Sequence, residues 1–183
     1  MKTFRFALSV TLCLFVLAML VSGQAMAQNK YVGVKTCAPC HKMEKSGNQF
    51  GVWQKSKHAE AYNALKSPEA EKIAKAKGLK VAAAEAPECL QCHTVTGDAA
   101  KFEKTFDAKD GVQCEACHGA GSGYKNMAVM KDKAKAIAAG LTDFKDDAAK
   151  EALCKTCHND KSPSFKGFNF KESWAKIAHG KKS

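Results

Sequence analysis

The sequence has little of what an ordinary hydrophobic core needs. After residue 27 the chain is rich in lysine and alanine, and its large apolar residues are scattered rather than gathered into long runs. No second apolar stretch of the length that a membrane span requires follows the one at the N-terminus. We therefore expect something other than side chains to fill the centre of the fold.

The first 27 residues have the pattern of a secretory signal peptide. A basic start precedes an apolar stretch over 6–21, and residues 25–27 read Ala-Met-Ala, a small-x-small cleavage signal. We expect cleavage after Ala27, export to the periplasm and a mature chain, 28–183, that forms a single domain. An uncleaved N-terminal anchor is the alternative.

Four cysteine pairs with the same two-residue gap are each followed at once by histidine. The pairs are Cys37/Cys40, Cys89/Cys92, Cys114/Cys117 and Cys154/Cys157, and the histidines are His41, His93, His118 and His158. A disulfide framework suits an exported chain with an even cysteine count, and zinc can use such pairs. Neither explains the uniform gap together with four adjacent histidines. The repeated motif, Cys-x-x-Cys-His (called a word below), is the attachment signal of covalent c-type haem.

The chemistry of attachment explains the spacing. Two thiols on one helical turn add to the two vinyl groups on one edge of a porphyrin, and the next residue then points under the ring, where its imidazole binds the iron. Four words therefore predict four c-type haems. The haem faces would be the missing core, so we expect a mainly α fold, with helices and loops wrapped on four covalently bound haems.

Helical periodicity and capping residues locate the secondary structure between the words. Apolar residues at helical spacing predict a helix over 48–66 that contains His58. Ser67 and Pro68 predict the start of another helix, which Gly78 ends. Further helices are expected over 130–139, 146–157 and 171–178, and a short hairpin is expected near 97–106.

The histidine count limits how four irons can be completed. Each iron has two axial positions, the four motif histidines fill one each, and only His58 and His179 remain. We predict both as distal ligands, because each lies beside a tryptophan on a helix. A third iron would take Met127 or Met130, with Met127 favoured, and a thioether raises the reduction potential relative to a second histidine. The fourth iron would keep an open face.

Acidic residues are in the minority. The chain carries 29 Lys and Arg against 18 Asp and Glu, a formal net charge of +11. We expect no nucleic-acid binding in spite of this charge, because the chain has an export signal, evenly spread lysines and few aromatic clusters. Haem propionates would offset much of the charge, and a residual lysine face would steer an acidic redox partner.

The words "KTCAPCHKMEKSGNQFGVWQKSKHAEAYNAL", "CLQCH", "GVQCEACHGAGSGY" and "CKTCH", in this order, resemble one family. It is the tetrahaem cytochrome c-554 family of ammonia oxidisers and its relatives in other respiring bacteria. The more specific features are the Trp-x-x-Ser-x-His-x-x-Ala pattern that starts at Trp53 and the Cys-His-Gly-x-Gly turn at 117–121. The resemblance covers nearly all of the mature chain and implies closely stacked haem pairs in a mainly helical fold.

The resemblance also implies which ligand faces which haem. His58 would ligate the haem on Cys114/Cys117, and His179 the haem on Cys154/Cys157. Where the family has a further histidine, this chain reads "YKNMAVM" over 124–130, so Met127 or Met130 becomes the candidate for the haem on Cys37/Cys40. The haem on Cys89/Cys92 would have the open face. By the same resemblance, we expect the chain to be without the long C-terminal extension of the family.

These features favour a periplasmic electron carrier that passes single electrons between redox proteins of a respiratory chain. We expect a soluble monomer that contacts the membrane only through its partners, and no catalysis of its own. Reduction or sensing of nitric oxide or a related nitrogen oxide at the open haem is the alternative. A subunit of a haem filament or membrane complex, in which a neighbour lends a histidine, is a third possibility.

Overall fold

A computed structural model of the chain describes residues 28–180. The predicted mainly α class is confirmed, since this part of the chain contains α-helices, short 3-10 turns and one isolated β-bridge but no β-strand. The predicted signal peptide, 1–27, lies outside the described residues. The helices are α1 (Val34–His41), α2 (Gln49–Gln54), α3 (Ala61–Ala64), α4 (Pro68–Ala76), α5 (Pro87–His93), α6 (Glu115–His118), α7 (Met127–Met130), α8 (Lys133–Ala138), α9 (Asp147–Cys154) and α10 (Phe170–Ile177).

Local capping signals set the ends of the better-defined helices. The Ser67 hydroxyl accepts the backbone N–H of Ala70 at the start of α4, and Gly78 follows its end with a φ of +70°. The prediction of this helix is confirmed. Helices α9 and α10 begin in the same way, because the side chains of Asp146 and Asn169 each accept a backbone N–H from the first turn.

The predicted helix over 48–66 is wrong in its centre. The chain leaves the helix after Gln54, makes turns through 55–60, and resumes a single helical turn at α3. Two hydrogen bonds to the distant residue Val112 stabilise this break in the helix. The His58 carbonyl accepts from Val112 N at 2.9 Å, and the Trp53 indole N–H donates to Val112 O at 2.8 Å. His58 is therefore carried by a turn that is anchored to a distant segment.

Two other local predictions need correction. The expected hairpin over 97–106 is absent from the described residues, where Tyr31 and Phe102 instead form an isolated parallel bridge. The Phe102 ring stacks on Tyr31 with centroids 5.4 Å apart, and Phe106 joins them. The helix expected over 130–139 is divided into α7 and α8, because Asp132 has extended backbone and caps α8 by accepting the N–H of Lys135.

The side-chain core is as thin as the composition suggests. Within residues 28–180, nine hydrophobic residues are buried and four of these are alanine. The main cluster is Leu65 with Ala74 and Ala83. So few buried large side chains could not by themselves stabilise a chain of this length, which is consistent with a fold completed by a prosthetic group.

Candidate haem-binding sites

Each cysteine word lies on a short helical segment. The first lies on α1, the second at the end of α5, the third runs into α6, and the fourth begins at the end of α9. All eight cysteines of the words are free thiols, and none is fully buried. Helical geometry brings both thiols of a word to one side, with the histidine following directly, which suits the two-point attachment of a porphyrin edge.

His58 and His158 face each other across a gap that fits an iron. Their ring centroids are 6.1 Å apart. A metal bound by imidazole lies about 2 Å from each ligating nitrogen, and the ring centroid lies roughly 1 Å further out, so two rings on one iron are about 6 Å apart. The pair therefore has the separation that a bis-histidine haem needs. Phe168 stacks on the His158 ring at 4.9 Å and fixes its orientation.

His118 and His179 form a second pair with the same spacing, 6.1 Å between ring centroids. The two pairings are the reverse of those that the resemblance implied. His58 lies opposite the histidine of the fourth word rather than the third, and His179 lies opposite the histidine of the third rather than the fourth. Which haem each of these histidines ligates stays a prediction.

An open cleft surrounds the first of these pairs. It has a volume of about 280 Å³ and is lined by His58, His158 and Cys154. Trp174, Phe168 and Ile177 make its apolar wall. Three exposed lysines also line it, namely Lys55, Lys57 and Lys176. The cleft therefore offers an apolar face, two iron ligands, an attachment thiol and cationic groups, which together fit a haem.

Burial keeps three of the paired histidines, namely His58, His118 and His158, in the form that binds metal. Burial first, and then His158, lowers the pKa of His58. Burial first, and then the charges of His179 and His41, lowers the pKa of His118. Burial also lowers the pKa of His158. A lowered pKa favours the neutral imidazole, and only the neutral ring has a lone pair for iron.

Hydrogen bonds orient several of the histidines. The His93 ring donates from Nδ1 to the carbonyl of Ala61 at 2.6 Å, and the His179 ring donates from Nδ1 to the carbonyl of Ile177 at 2.9 Å. Because a carbonyl only accepts, Nδ1 must carry the proton, and Nε2 is left to bind a metal. His41 Nδ1 lies 3.3 Å from Gln49 Oε1, in a similar arrangement.

Thiols of different words are close enough to interact. The pKa of the Cys37 thiol is raised mainly by a hydrogen bond with Cys114 and then by burial. Burial, and then Cys157, raises the pKa of Cys92 to about 11. Burial, and then the thiols of the fourth word, raises the pKa of Cys117 to about 11. In space the first word thus adjoins the third, the third adjoins the fourth, and the fourth adjoins the second.

The two remaining motif histidines have no imidazole opposite them. All six histidines of the chain lie within residues 28–180 and four belong to the two pairs, so His41 and His93 belong to neither pair. Met127 begins α7 and is 62% exposed, while Met130 at the end of that helix is partly buried. The assignment of Met127 as an iron ligand stays a prediction.

The comparisons with known proteins point to one family. The family described as "Cytochrome c554 and c-prime" matches residues 36–119, which contain the first three words. Cytochrome c-554 of Nitrosomonas europaea is 32% identical over 153 residues, which is 76% of this chain. Both findings support assigning the chain to the cytochrome c-554 family. Membership of this family implies covalently bound c-type haem.

The match to that relative is partial on its side. The aligned region spans 62% of the length of the Nitrosomonas europaea cytochrome c-554. No solved structure matches the chain. Within residues 28–180, no helix has both the length and the apolar character that a membrane crossing requires. The histidine pairs and the contacts between words are therefore described from this chain's own structure.

Proposed function

We propose that this cytochrome binds four c-type haems, one on each cysteine word, and carries single electrons between redox proteins of the periplasm. The observation that carries the proposal is the contact between words: the backbone before the first word bonds to Glu115 of the third, and Cys157 of the fourth lies 4.0 Å from the carbonyl of Gln91 in the second. The third word also adjoins the fourth. Bound c-type haem supplies a one-electron couple between ferric and ferrous iron. Four adjoining sites of this kind support passage of an electron from one end of the molecule to the other.

The chain's own residues would position the rings and tune them. We propose His58 with His158, and His118 with His179, as the axial ligands of two irons, because each pair has the separation that such an iron needs. Cys154 would hold the porphyrin edge at one of these sites, and the apolar wall of Trp174 and Phe168 would limit the access of water to it. A fixed pair of ligands requires little rearrangement when the iron changes charge, which suits rapid electron exchange.

The cleft lysines suggest how a partner would approach. Lys55, Lys57 and Lys176 are exposed, and none is within 4.0 Å of a carboxylate of residues 28–180. Uncompensated lysines at the mouth of a redox site attract an acidic surface over a distance set by ionic strength. We propose acidic redox proteins as partners and a monomer as the working form.

Two measurements on the purified protein test this function. Mass spectrometry and the reduced absorption spectrum are expected to give four covalent haems per chain and a chain that begins at Gln28. Stopped-flow mixing of the reduced protein with an oxidised mediator is expected to show electron exchange within milliseconds to seconds. Fewer than four haems, or no exchange on that scale, would contradict the proposal.

A second function is favoured by the two motif histidines without a partner. If no methionine binds the iron opposite His41 or His93, that iron has a free position for a small ligand such as nitric oxide. Carbon monoxide added to the dithionite-reduced protein is expected to shift about a quarter of the Soret absorbance if one of four haems is open. Turnover of nitric oxide, nitrite or hydroxylamine no faster than with free haem would leave electron transfer as the function.

A further inference from the structure

A buried glutamate lies inside the third cysteine word. Glu115 follows Cys114 directly, yet only 2% of its surface is exposed. Within residues 28–180 no lysine, arginine or histidine nitrogen lies within 4.0 Å of its carboxylate. A buried acid without a cation is costly unless hydrogen bonds compensate it, so its surroundings indicate its role.

Backbone N–H groups from two distant segments surround this carboxylate. Val32 N donates to Oε1 at 2.8 Å and to Oε2 at 3.1 Å, and Gly33 N donates to Oε2 at 2.7 Å. Gly121 N donates to Oε1 at 2.7 Å. Every polar contact of the carboxyl group is thus with a donor, an environment for an ionised carboxylate, which only accepts.

The same contacts join the first haem word to the third. Val32 and Gly33 lead directly into α1, which carries Cys37, Cys40 and His41. Gln113 extends the junction, because its side-chain oxygen accepts from Val34 N at 2.7 Å and its amide donates to Asp107 O at 2.7 Å. The third word therefore supplies side-chain acceptors to the N-terminal end of the helix that holds the first.

The charge of Glu115 acts on both sites. The pKa of Cys37 is raised first by its interaction with Cys114 and by burial, and then by the charges of Cys114 and Glu115. Glu115 also acts to raise the pKa of Cys114, although the hydrogen bond with Cys37 outweighs this and lowers it overall. A negative charge next to an iron opposes the added electron when ferric iron becomes ferrous, and burial weakens solvent screening of that effect.

We propose that Glu115 is a positioning and potential-setting residue for the haems on Cys37/Cys40 and Cys114/Cys117. Its hydrogen bonds hold the two attachment segments side by side, and its charge lowers the reduction potential of both irons. The inference rests on the proposed binding of haem to these two words. Each of these two potentials would therefore be lower than it would be at the same site without the charge of Glu115.

The test is Glu115→Gln in the full-length holoprotein, with haem content measured first. The amide keeps the size of the side chain but removes its charge. In a potentiometric titration followed by the reduced absorption bands, we expect two of the four potentials to move upwards and two to stay. Haem content is measured separately, so the two proposals can fail separately. Absence of covalent haem from the unaltered protein would contradict the proposed function, whereas unchanged potentials in Glu115→Gln would contradict only this inference.

Glu88→Gln is the matched control. Glu88 also adjoins a haem-attachment cysteine, Cys89, but it is exposed, so water screens its charge. We expect the control to leave all four potentials close to those of the unaltered protein. Four unchanged potentials in Glu115→Gln with four haems bound, or equal shifts in both variants, would overturn the inference.

Glu115→Asp separates charge from position. The shorter side chain keeps the charge but cannot reach all three N–H donors. We expect potentials near those of the unaltered protein and a lower midpoint of denaturant unfolding. If Glu115→Gln forms no holoprotein, Glu115→Asp becomes the deciding variant. An upward shift of two potentials in Glu115→Asp, or its failure to bind the haems, would mean that the retained charge does not fulfil the proposed role. Either result would overturn the inference.

Discussion

Adding one methyl group at Gly111 is expected to move His58 away from His158. Gly111 has φ +77° and ψ −148°, a backbone conformation that residues other than glycine rarely adopt. A Cβ built on it would lie 2.5 Å from the carbonyl oxygen of His58 and 2.9 Å from that of Ala59. Both are backbone atoms and cannot rotate away, so Gly111→Ala must displace the turn that carries His58.

The magnitude follows from two contributions. The backbone conformation costs about 1–3 kcal/mol for a residue with a side chain, and relief of the overlap adds about 1–3 kcal/mol of strain. We expect unfolding free energy to fall by about 2–5 kcal/mol, since part of the strain is relieved by movement of the turn. At about 2–4 °C per kcal/mol for a chain of this size, the midpoint of thermal unfolding would fall by about 4–20 °C.

The spectroscopic consequence is more specific than the loss of stability. Withdrawal of His58 is expected to convert one haem from six-coordinate low spin to a high-spin form that binds carbon monoxide, measured by electron paramagnetic resonance and by the Soret shift. Gly78→Ala is the control, because Gly78 also has a positive φ, +70°, but its Cβ would meet nothing within 4 Å. We expect Gly78→Ala to cost about 1 kcal/mol without any spectral change. Equal effects of the two substitutions would refute the reasoning.

Three further predictions concern the ligands and the surface. His58 lies opposite His158, so the double variant His58→Ala/His158→Ala is expected to alter the resonance Raman signature of one haem. The double variant His58→Ala/His118→Ala is expected to alter the signatures of two haems. The reverse result would favour the pairing that the family resemblance implied. If Met127 binds the iron of the first word, Met127→Leu lowers one reduction potential and removes the thioether absorption band. The control, Met43→Leu, is expected to leave the potential and the band unchanged. A Met127→Leu protein with the original potentials and absorption band would contradict the assignment. Changing Lys55, Lys57 and Lys176 together to glutamate is expected to slow oxidation of the reduced protein by the anion ferricyanide at low ionic strength. Lys72→Glu, outside the cleft lining, is the control, and a rate independent of the three cleft lysines would contradict a docking role.

Local signals predicted those helices whose ends are set by their own residues. Ser67 and Pro68 start α4 and Gly78 follows it, and each of these acts within one helical turn. Hydrophobic periodicity was less informative over 48–66, because hydrogen bonds from Val112 to His58 and from Trp53 to Val112 compete with the helix there. Those bonds join segments more than fifty residues apart, and periodicity contains no information about them.

The candidate sites divide in the same way. The four Cys-x-x-Cys-His words could be recognised from sequence because attachment of a porphyrin edge needs two thiols and a histidine within one short segment. The role of Glu115 could not be recognised, since nothing in "CEACH" indicates that this side chain turns inwards to the backbone of Val32, 83 residues earlier.

The sequence by itself determined the family, the mainly α class and the number of words and histidines, because these depend on residue identity and short spacing. Only the tertiary structure decided that His58 faces His158, that His179 faces His118, and that the first word adjoins the third. The physical reason is that the two histidines of each pair lie in segments that are far apart in the chain. Their approach depends on contacts between distant segments and not on the residues next to either histidine.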